Sequence, residues 1–533
     1  MELPTHIPSQ WPTQPTPTSM LEKPFMFLTL KQLNQIRAHI IKSSKPNLLN
    51  SLLRSLAQAN ASHDALLLYN QMLYGPTSHD HFTYTYALKA CSLLHAVPKG
   101  HEIHARIITS GHHSDIFIQN TLLNMYVDFC DIISARRIFD AISEPDVVSW
   151  TSMISGLAKS GFEEEALMVL VSMDVKPNSM TLVCLLSACA RLRALDKGKA
   201  IHAYCLKNLN GDNIIVDNAI LELYVKCGSL IPAQLLFETM RNRDVVSWTT
   251  IVCGYAQNGF CQKAITVFRK MAREGEVEPN EATIVSVFSA CASLGSFSLG
   301  QQVHTYIQSI HGVTLDGHVG NALVNMYAKC GHMSMALKIF NRLACKDLVS
   351  WSTIIGGMAI NGYGMQALQM FSLMLCNGIA PDGVTFLGLL SACSHARLVD
   401  QGRAFFTAMR DVYRIRPEIE HYACMVDLYG RAGLLDEAES FIREMPMEPD
   451  GVVWAALLNG YKIYGDGKVD ERLARCLIGA RSASGGTWAL LSNTYASASR
   501  WEEFHRVREV MRCMRMRKTP GCSWVEVDSP IHS

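Results

Sequence analysis

The chain repeats itself, and the repeat limits what it can fold into. D-V-V-S-W occurs at Asp146–Trp150 and Asp244–Trp248, and D-L-V-S-W follows at Asp347–Trp351. These copies lie 98 and 103 residues apart. Y-V-K-C-G at Tyr224–Gly228 is matched by Y-A-K-C-G at Tyr327–Gly331, and looser copies begin at Tyr126 and Tyr429. Ala-Cys pairs recur at Cys91, Cys189, Cys291 and Cys393, and an aliphatic residue precedes His104, His202 and His304. The large period is about 100 residues with three smaller units inside it, the signature of a stacked array rather than a single core.

Each small unit reads as two amphipathic helices. Over Val147–Ser160, Val147, Trp150, Ile154, Leu157 and Ala158 fall at helical spacing. Gly161 is placed to end that helix, and Glu163, Glu164 and Glu165 open the next, where acidic side chains suit the helix N-terminus. Ala166, Leu167, Leu170 and Met173 carry its apolar face, and Lys176-Pro177-Asn178 breaks it. One hairpin of this kind cannot bury both faces, so neighbours must stack into an all-α solenoid.

Composition narrows the function. With 533 residues, 48 Lys plus Arg and 47 Asp plus Glu, the net charge is +1. A protein that held nucleic acid mainly by its phosphates would be far more basic, so any such binding must lean on base contacts or local basic patches. The longest apolar run, Met180–Ala190, is about half of what a membrane span needs. The 17 cysteines are odd in number and contain no C-x-x-C, which argues against a disulfide framework or zinc ribbon and for free thiols. No cofactor site and no nucleophile–base pairing is evident.

With these motifs in hand, the chain resembles the plant pentatricopeptide repeat family, in its subclass that alternates P, L and S motifs. The resemblance covers about residues 30–528. It places a truncated L motif at 30–45, carrying Gln35-Ile36-Arg37-Ala38-His39, and twelve motifs at 46–450 in four triplets. P motifs run 46–80, 147–178, 245–280 and 348–382; L motifs 81–115, 179–213, 281–316 and 383–418; S motifs 116–146, 214–244, 317–347 and 419–450. The segment 451–528 resembles the family's E1 and E2 motifs, on Val452–Leu458, Leu490–Ala496, Arg500-Trp501 and Pro520–Val527, leaving a short tail at 529–533. The resemblance implies a right-handed superhelix of stacked helix-turn-helix repeats.

It also implies a site. In the family one base is read per motif by the fifth and the last residue. Carried over, the P motifs give Asn50 with Asp80, Thr151 with Asn178, Thr249 with Asn280 and Ser352 with Asp382. The S motifs give Asn120 with Asp146, Asn218 with Asp244 and Asn321 with Asp347, while Ala423 with Asp450 offers no side-chain hydrogen bond at its first place. The L motifs give Thr85 with Asp115, then apolar Val183, Val285 and Leu387. A local reading competes: terminal Asp and Asn residues also cap helices, and the two uses can coexist. Trp150, Trp248 and Trp351 lie on apolar faces and are expected in the core rather than against bases. The recurrent cysteines are expected there too. Arg506, Arg508, Arg512, Arg515, Arg517 and Lys518 give one tail helix a basic face, as suited to a solvated surface as to phosphate or a partner protein.

The implied function is sequence-specific binding of single-stranded organellar RNA, as a site-recognition factor for C-to-U editing. H-x-E and C-x-x-C, the zinc signature of a cytidine deaminase, are absent, so no enzyme activity is expected and the deaminase would act in trans with accessory proteins. No membrane, small-molecule substrate, metal or other cofactor is implied. The alternatives are an organellar RNA factor for splicing, stability or translation, and a helical protein–protein scaffold. Residues 1–29 are rich in Pro, Thr and Ser with Lys23 as the only Lys or Arg, which leans to a plastid over a mitochondrial targeting segment. In the family's code Asn with Asp prefers U, Thr with Asn prefers A, and Ser or Thr with Asp prefers G. Read in parallel orientation, the triplets give 5′-U-n-U-A-n-U-A-n-U-G-n-n, with the edited cytidine about four nucleotides 3′ of the base facing the last S motif.

Overall fold

The computed structural model describes residues 46–58, 61–74, 79–209, 213–309, 315–464, 485–497 and 499–514. The segments 1–29 and 30–45 and the signature Pro520–Val527 lie outside the described residues, as do Arg515, Arg517 and Lys518. The described residues form 27 α-helices and no strand. From Pro46 to Arg443 these helices fall into twelve hairpins. No described helix is long and apolar enough to cross a membrane.

The chain divides into two compact units, one ending at Arg243 and the other beginning at Asp244. In the first unit the leading helices of successive hairpins, His81–Leu94, Ile116–Asp128, Val147–Lys159, Ser179–Leu192 and Ile214–Lys226, each lie against the next. In the second unit Val245–Gln257, Glu281–Leu294, Gly317–Lys329, Leu348–Ile360, Gly383–Ala396, Ile419–Ala432 and Gly451–Tyr464 do the same. The second helix of a hairpin packs on its own leading helix and on the one that follows, as Glu163–Val171 does on Val147–Lys159 and Ser179–Leu192. Each unit is therefore a two-layered α-solenoid whose leading helices form a continuous row.

The hairpin turn at Gly161 has φ +84°, a conformation that a side chain would strain. Helix Glu163–Val171 stops earlier than its apolar spacing predicts: Leu170 belongs to it, but Met173 falls in the following loop. Pro177 disfavours helical backbone at Lys176, and the chain leaves the helix one turn before that block. The recurrent tryptophans are core residues. Trp150 and Trp351 are buried edge-on against Phe139 and Phe340 of the preceding second helix, at 4.8 and 5.0 Å between ring centres, and Trp248 is buried as well. Cys91, Cys189, Cys291 and Cys393 are fully buried, and burial pushes the thiols of Cys91 and Cys291 up to about 12. The described cysteines are all free thiols.

The recurrent histidines join one hairpin to the next. His104 Nδ1 meets the Tyr126 hydroxyl at 2.7 Å, His202 that of Tyr224 at 2.9 Å, and His304 that of Tyr327 at 2.8 Å. Burial holds all three imidazoles below their ordinary value, with His101 and Arg342 adding to the effect at His104 and His304. The folded-state values lie below the unfolded one, so as pH falls the unfolded chain takes up protons first. This contribution is full above about pH 6.5 and is lost progressively below it. The melting temperature is expected to fall between pH 7.5 and 5.5, well above the range where carboxylates titrate. Replacing all three histidines by glutamine is expected to flatten that slope, and a melt insensitive to pH in the wild type would contradict the assignment.

The tail continues the stack. Helix Gly451–Tyr464 buries Val453, Trp454, Leu457 and Leu458 in one apolar cluster with Met425, Val426, Leu428 and Tyr429 of the preceding hairpin. Trp488, Leu491 and Tyr495 of Gly485–Ser497, and Val507 and Met511 of Trp501–Cys513, belong to the same cluster. Gly460 makes this approach possible, since a Cβ there would stand 2.7 Å from the Gly430 Cα. Cutting after Asp450 would uncover the core of the last repeat, so the tail is not a detachable appendage.

Candidate functional site

Within each unit the leading helices present one common face. Residues at the second, fifth, ninth and thirteenth places of a repeat are three or four apart in turn, so they share a face of the helix. In the second unit this face lines a groove of about 540 Å³ that includes Asn321, Lys329, Val349, Ser352 and Asp382. It continues into an adjoining groove of about 570 Å³ past Val384, Leu387, Ala423, Val452 and Ala455. In the first unit the same places, Ser155, Lys159, Val183 and Arg191, line a smaller recess.

The last residue of each P or S motif with a polar fifth residue is the N-cap of the next leading helix. Asp80, Asp146, Asn178, Asp244, Asn280, Asp347 and Asp382 each accept the backbone N–H three residues on, at 2.8–2.9 Å. The same oxygen also contacts the hydroxyl of that third residue: Thr83, Ser149, Thr181, Ser247, Thr283, Ser350 or Thr385. Capping therefore occurs throughout, and it fixes what the outer half of the side chain presents. An aspartate that caps with Oδ1 keeps Oδ2 as an acceptor outside the cap, and at Asp80 that oxygen accepts from the Asn50 amide. An asparagine that caps with Oδ1, as Asn178 and Asn280 do, turns the donor Nδ2 outward.

The fifth residues reach across to these caps. Asn50 Nδ2 donates to Asp80 at 2.8 and 2.9 Å, Asn120 Nδ2 to Asp146 at 3.1 Å, and Asn321 Nδ2 to Asp347 at 3.2 Å. The other end of each amide accepts the hydroxyl of Thr83, Ser149 or Ser350 at 2.6–2.8 Å. Thr151 and Ser352 meet Thr181 and Thr385 through hydroxyl–hydroxyl contacts of 2.7 and 2.8 Å, and Thr249 meets both Thr283 at 2.6 Å and Asn280 at 3.2 Å. Asn218 stands on the last leading helix of the first unit and Asp244 opens the second, and each is placed within its own unit. Thr85 and Asp115 differ. The Thr85 hydroxyl donates to the His81 carbonyl at 2.7 Å, as Thr151, Thr249 and Ser352 also do to the carbonyl four residues back, but Ile118 brings no hydroxyl to meet it, Asp115 accepts the Phe117 N–H at 2.9 Å, and among the described residues no hydrogen bond joins Thr85 and Asp115.

Burial would raise the Asp146 and Asp347 carboxyls, but the N–H and hydroxyl of Ser149 or Ser350, with the Asn120 or Asn321 amide, outweigh it and hold them below the ordinary carboxylate value. Both are thus acceptors only at neutral pH. Three groups of the site escaped the sequence reading. The bridging hydroxyls are visible in hindsight as D-x-x-S and N-x-x-T, a helix-start pattern. Most of the second places are apolar yet exposed, from 46% at Val148 to 69% at Phe117, and include Phe82, Met180, Ile215, Val246 and Val349, whereas His318 and Glu420 are polar. Flat apolar ledges between polar side chains suit the face of a base. Lys159, Lys226 and Lys329 are exposed about three turns further along their helices than the second places. Among the described residues no group of His, Cys, Asp and Glu is arranged to hold a metal ion.

The sequence matches the PPR repeat family at 243–293 and 346–395, the PPR repeat at 148–176, 321–348 and 420–448, and the E motif at 466–526. An Arabidopsis thaliana pentatricopeptide repeat-containing protein is 36% identical over 479 residues, covering 90% of this chain and 86% of the relative. A second one, designated chloroplastic, is 37% identical over 525 residues, covering 92% and 71%, and a third, designated mitochondrial, is 36% identical over 457 residues, covering 85% and 71%. The fold is that of the maize pentatricopeptide repeat protein PPR10, with TM-score 0.51 at 17% identity over 91% of this chain and 87% of that one. Against PPR10 in complex with an 18-nt psaJ RNA element the TM-score is 0.60 at 16% identity, covering 91% and 79%.

Proposed function

We propose that this chain, which belongs to the pentatricopeptide repeat family and carries its E motif, binds one single-stranded organellar RNA in sequence and marks it for C-to-U editing. The observation that carries the reading is the coupled pair: a buried or half-buried fifth residue tied to the cap of the next helix, directly or through the hydroxyl three residues on. The presented groups agree with the base edges expected from the family code. Asp382 Oδ2 and the Ser352 oxygen are acceptors, which suit the N1–H and N2–H of guanine. Asn178 and Asn280 present an amide donor, which suits an acceptor of adenine. Asn321 beside Asp347 offers both a donor and acceptors, which suits uracil. The exposed second places would flank each base, and Lys159, Lys226 and Lys329 would meet phosphate.

The relatives designated chloroplastic and mitochondrial support an organellar site of action. The E motif supports editing over splicing or transcript protection, with the deaminase supplied by a partner. The purified full chain is expected to bind single-stranded RNA carrying 5′-U-n-U-A-n-U-A-n-U-G-n-n at least about a hundredfold more tightly than RNA with the specified bases permuted, since each read base contributes about 1–3 kcal/mol of discrimination. Equal affinity for both would refute sequence-specific binding. Plastid and mitochondrial RNA from a plant lacking the protein is expected to lose editing at a cytidine downstream of that sequence. Full editing at every such cytidine would remove the editing role and leave the RNA-binding one.

A further inference from the structure

The hydroxyls that bridge cap and fifth residue occur where the fifth residue is polar and reads, and not elsewhere. Every P or S motif with Asn, Thr or Ser at its fifth place is followed, three residues past its last residue, by Ser or Thr. After Thr85, Val183, Val285 and Ala423 the same place holds Ile118, Val216, Val319 and Val453. The cap alone does not need the hydroxyl, because Asp115 and Asp450 cap their helices without one.

Geometry shows what the hydroxyl adds. Asn321 is 6% exposed, and its Nδ2 faces the Asp347 carboxylate. An ionised carboxylate only accepts, so the amide oxygen must point the other way, where Ser350 Oγ meets it at 2.7 Å. The two contacts together allow one amide orientation and leave one N–H and one lone pair for a base. Without the hydroxyl the amide oxygen loses its buried partner, and the torsion about the last side-chain bond, which is intrinsically broad, is no longer held.

We infer that the Ser or Thr at the third place of the following repeat is a positioning residue for base discrimination, and that the Thr85–Asp115 pair, which lacks it, does not discriminate. The inference rests on the base-reading assignment proposed above. It makes reading a three-residue property: two pairs with the same residue types differ in function according to what the next helix carries.

The test is a titration of the full chain against RNAs that differ only at the base facing Asn321. Ser350→Ala is expected to reduce the preference for U about tenfold, with discrimination at the base facing Asn120 unchanged. Ser350→Thr, which keeps the hydroxyl, is expected to retain the preference. Ser149→Ala is expected to relax the position facing Asn120 and leave that of Asn321 intact. At the base facing Thr85, wild-type affinity is expected to be equal for all four bases within about twofold. A full U preference in Ser350→Ala, an equal loss for all four bases, or a clear G preference at the Thr85 position would each overturn the inference. A wild type with no preference at the Asn321 position would instead refute base reading itself, and this inference with it.

Discussion

Replacing Asn321 by Thr, with Asp347 kept, is expected to move the preference at one RNA position from U toward G, by about 10–100-fold in the ratio of the two affinities. The substitution removes the amide that donates to Asp347 and accepts from Ser350, and puts a hydroxyl in its place. What then faces the base is the Asp347 Oδ2 acceptor beside an oxygen, the arrangement found at Ser352 and Asp382. Adding Asp347→Asn should carry the preference on to A, because the amide would still cap Ser350 through its oxygen and turn a donor outward, as Asn178 does toward Thr181. Neighbouring positions should hardly change, since a solenoid unit contacts only its neighbours. The measurement is affinity for four RNAs differing at that base. An equal loss for all four would show that Asn321 supports the fold rather than reads the RNA.

Trp351→Ala is expected to cost about 3–5 kcal/mol, the range for deleting a buried large aromatic residue. Trp351 is 4% exposed and packs edge-on against Phe340 of the hairpin before it, so the cavity would open between two repeats. Trp351→Phe should cost much less, since the buried indole Nε1 has no hydrogen-bond partner among the described residues and its loss leaves nothing unpaired. Denaturant unfolding checks both, and limited proteolysis should show new cutting in the connection before Asp347 in the alanine variant alone. Equal destabilisation by Ala and Phe would mean that the indole, not its volume, holds the joint.

Much of this molecule was legible in its sequence because both of its periods are. The 3.6-residue period placed the helices, and the recurrence near 100 residues placed the hairpins in order, down to the burial of Trp150 and Cys189. The competition between capping and reading at Asp146 or Asn178 was legible as a question but not as an answer. The structure shows capping at all of these places, and it places one of the caps, Asp382, in the wall of a groove. The tail's signature motifs differ from those of the repeats. Yet Trp454, Trp488 and Tyr495 close over the core of the last repeat, and sequence patterns do not report which neighbour a buried face meets.

The sequence by itself determined the helices and the polar residues that could read a base, which depend on residues within one or two turns of helix, and the repeat order, which shows as recurrence along the chain. Only the tertiary structure decided that Asn321, Asp347 and Ser350 meet while Thr85 and Asp115 do not. Those contacts join residues 26–29 positions apart. They exist only when two hairpins stack in register and the next helix brings a hydroxyl to the joint.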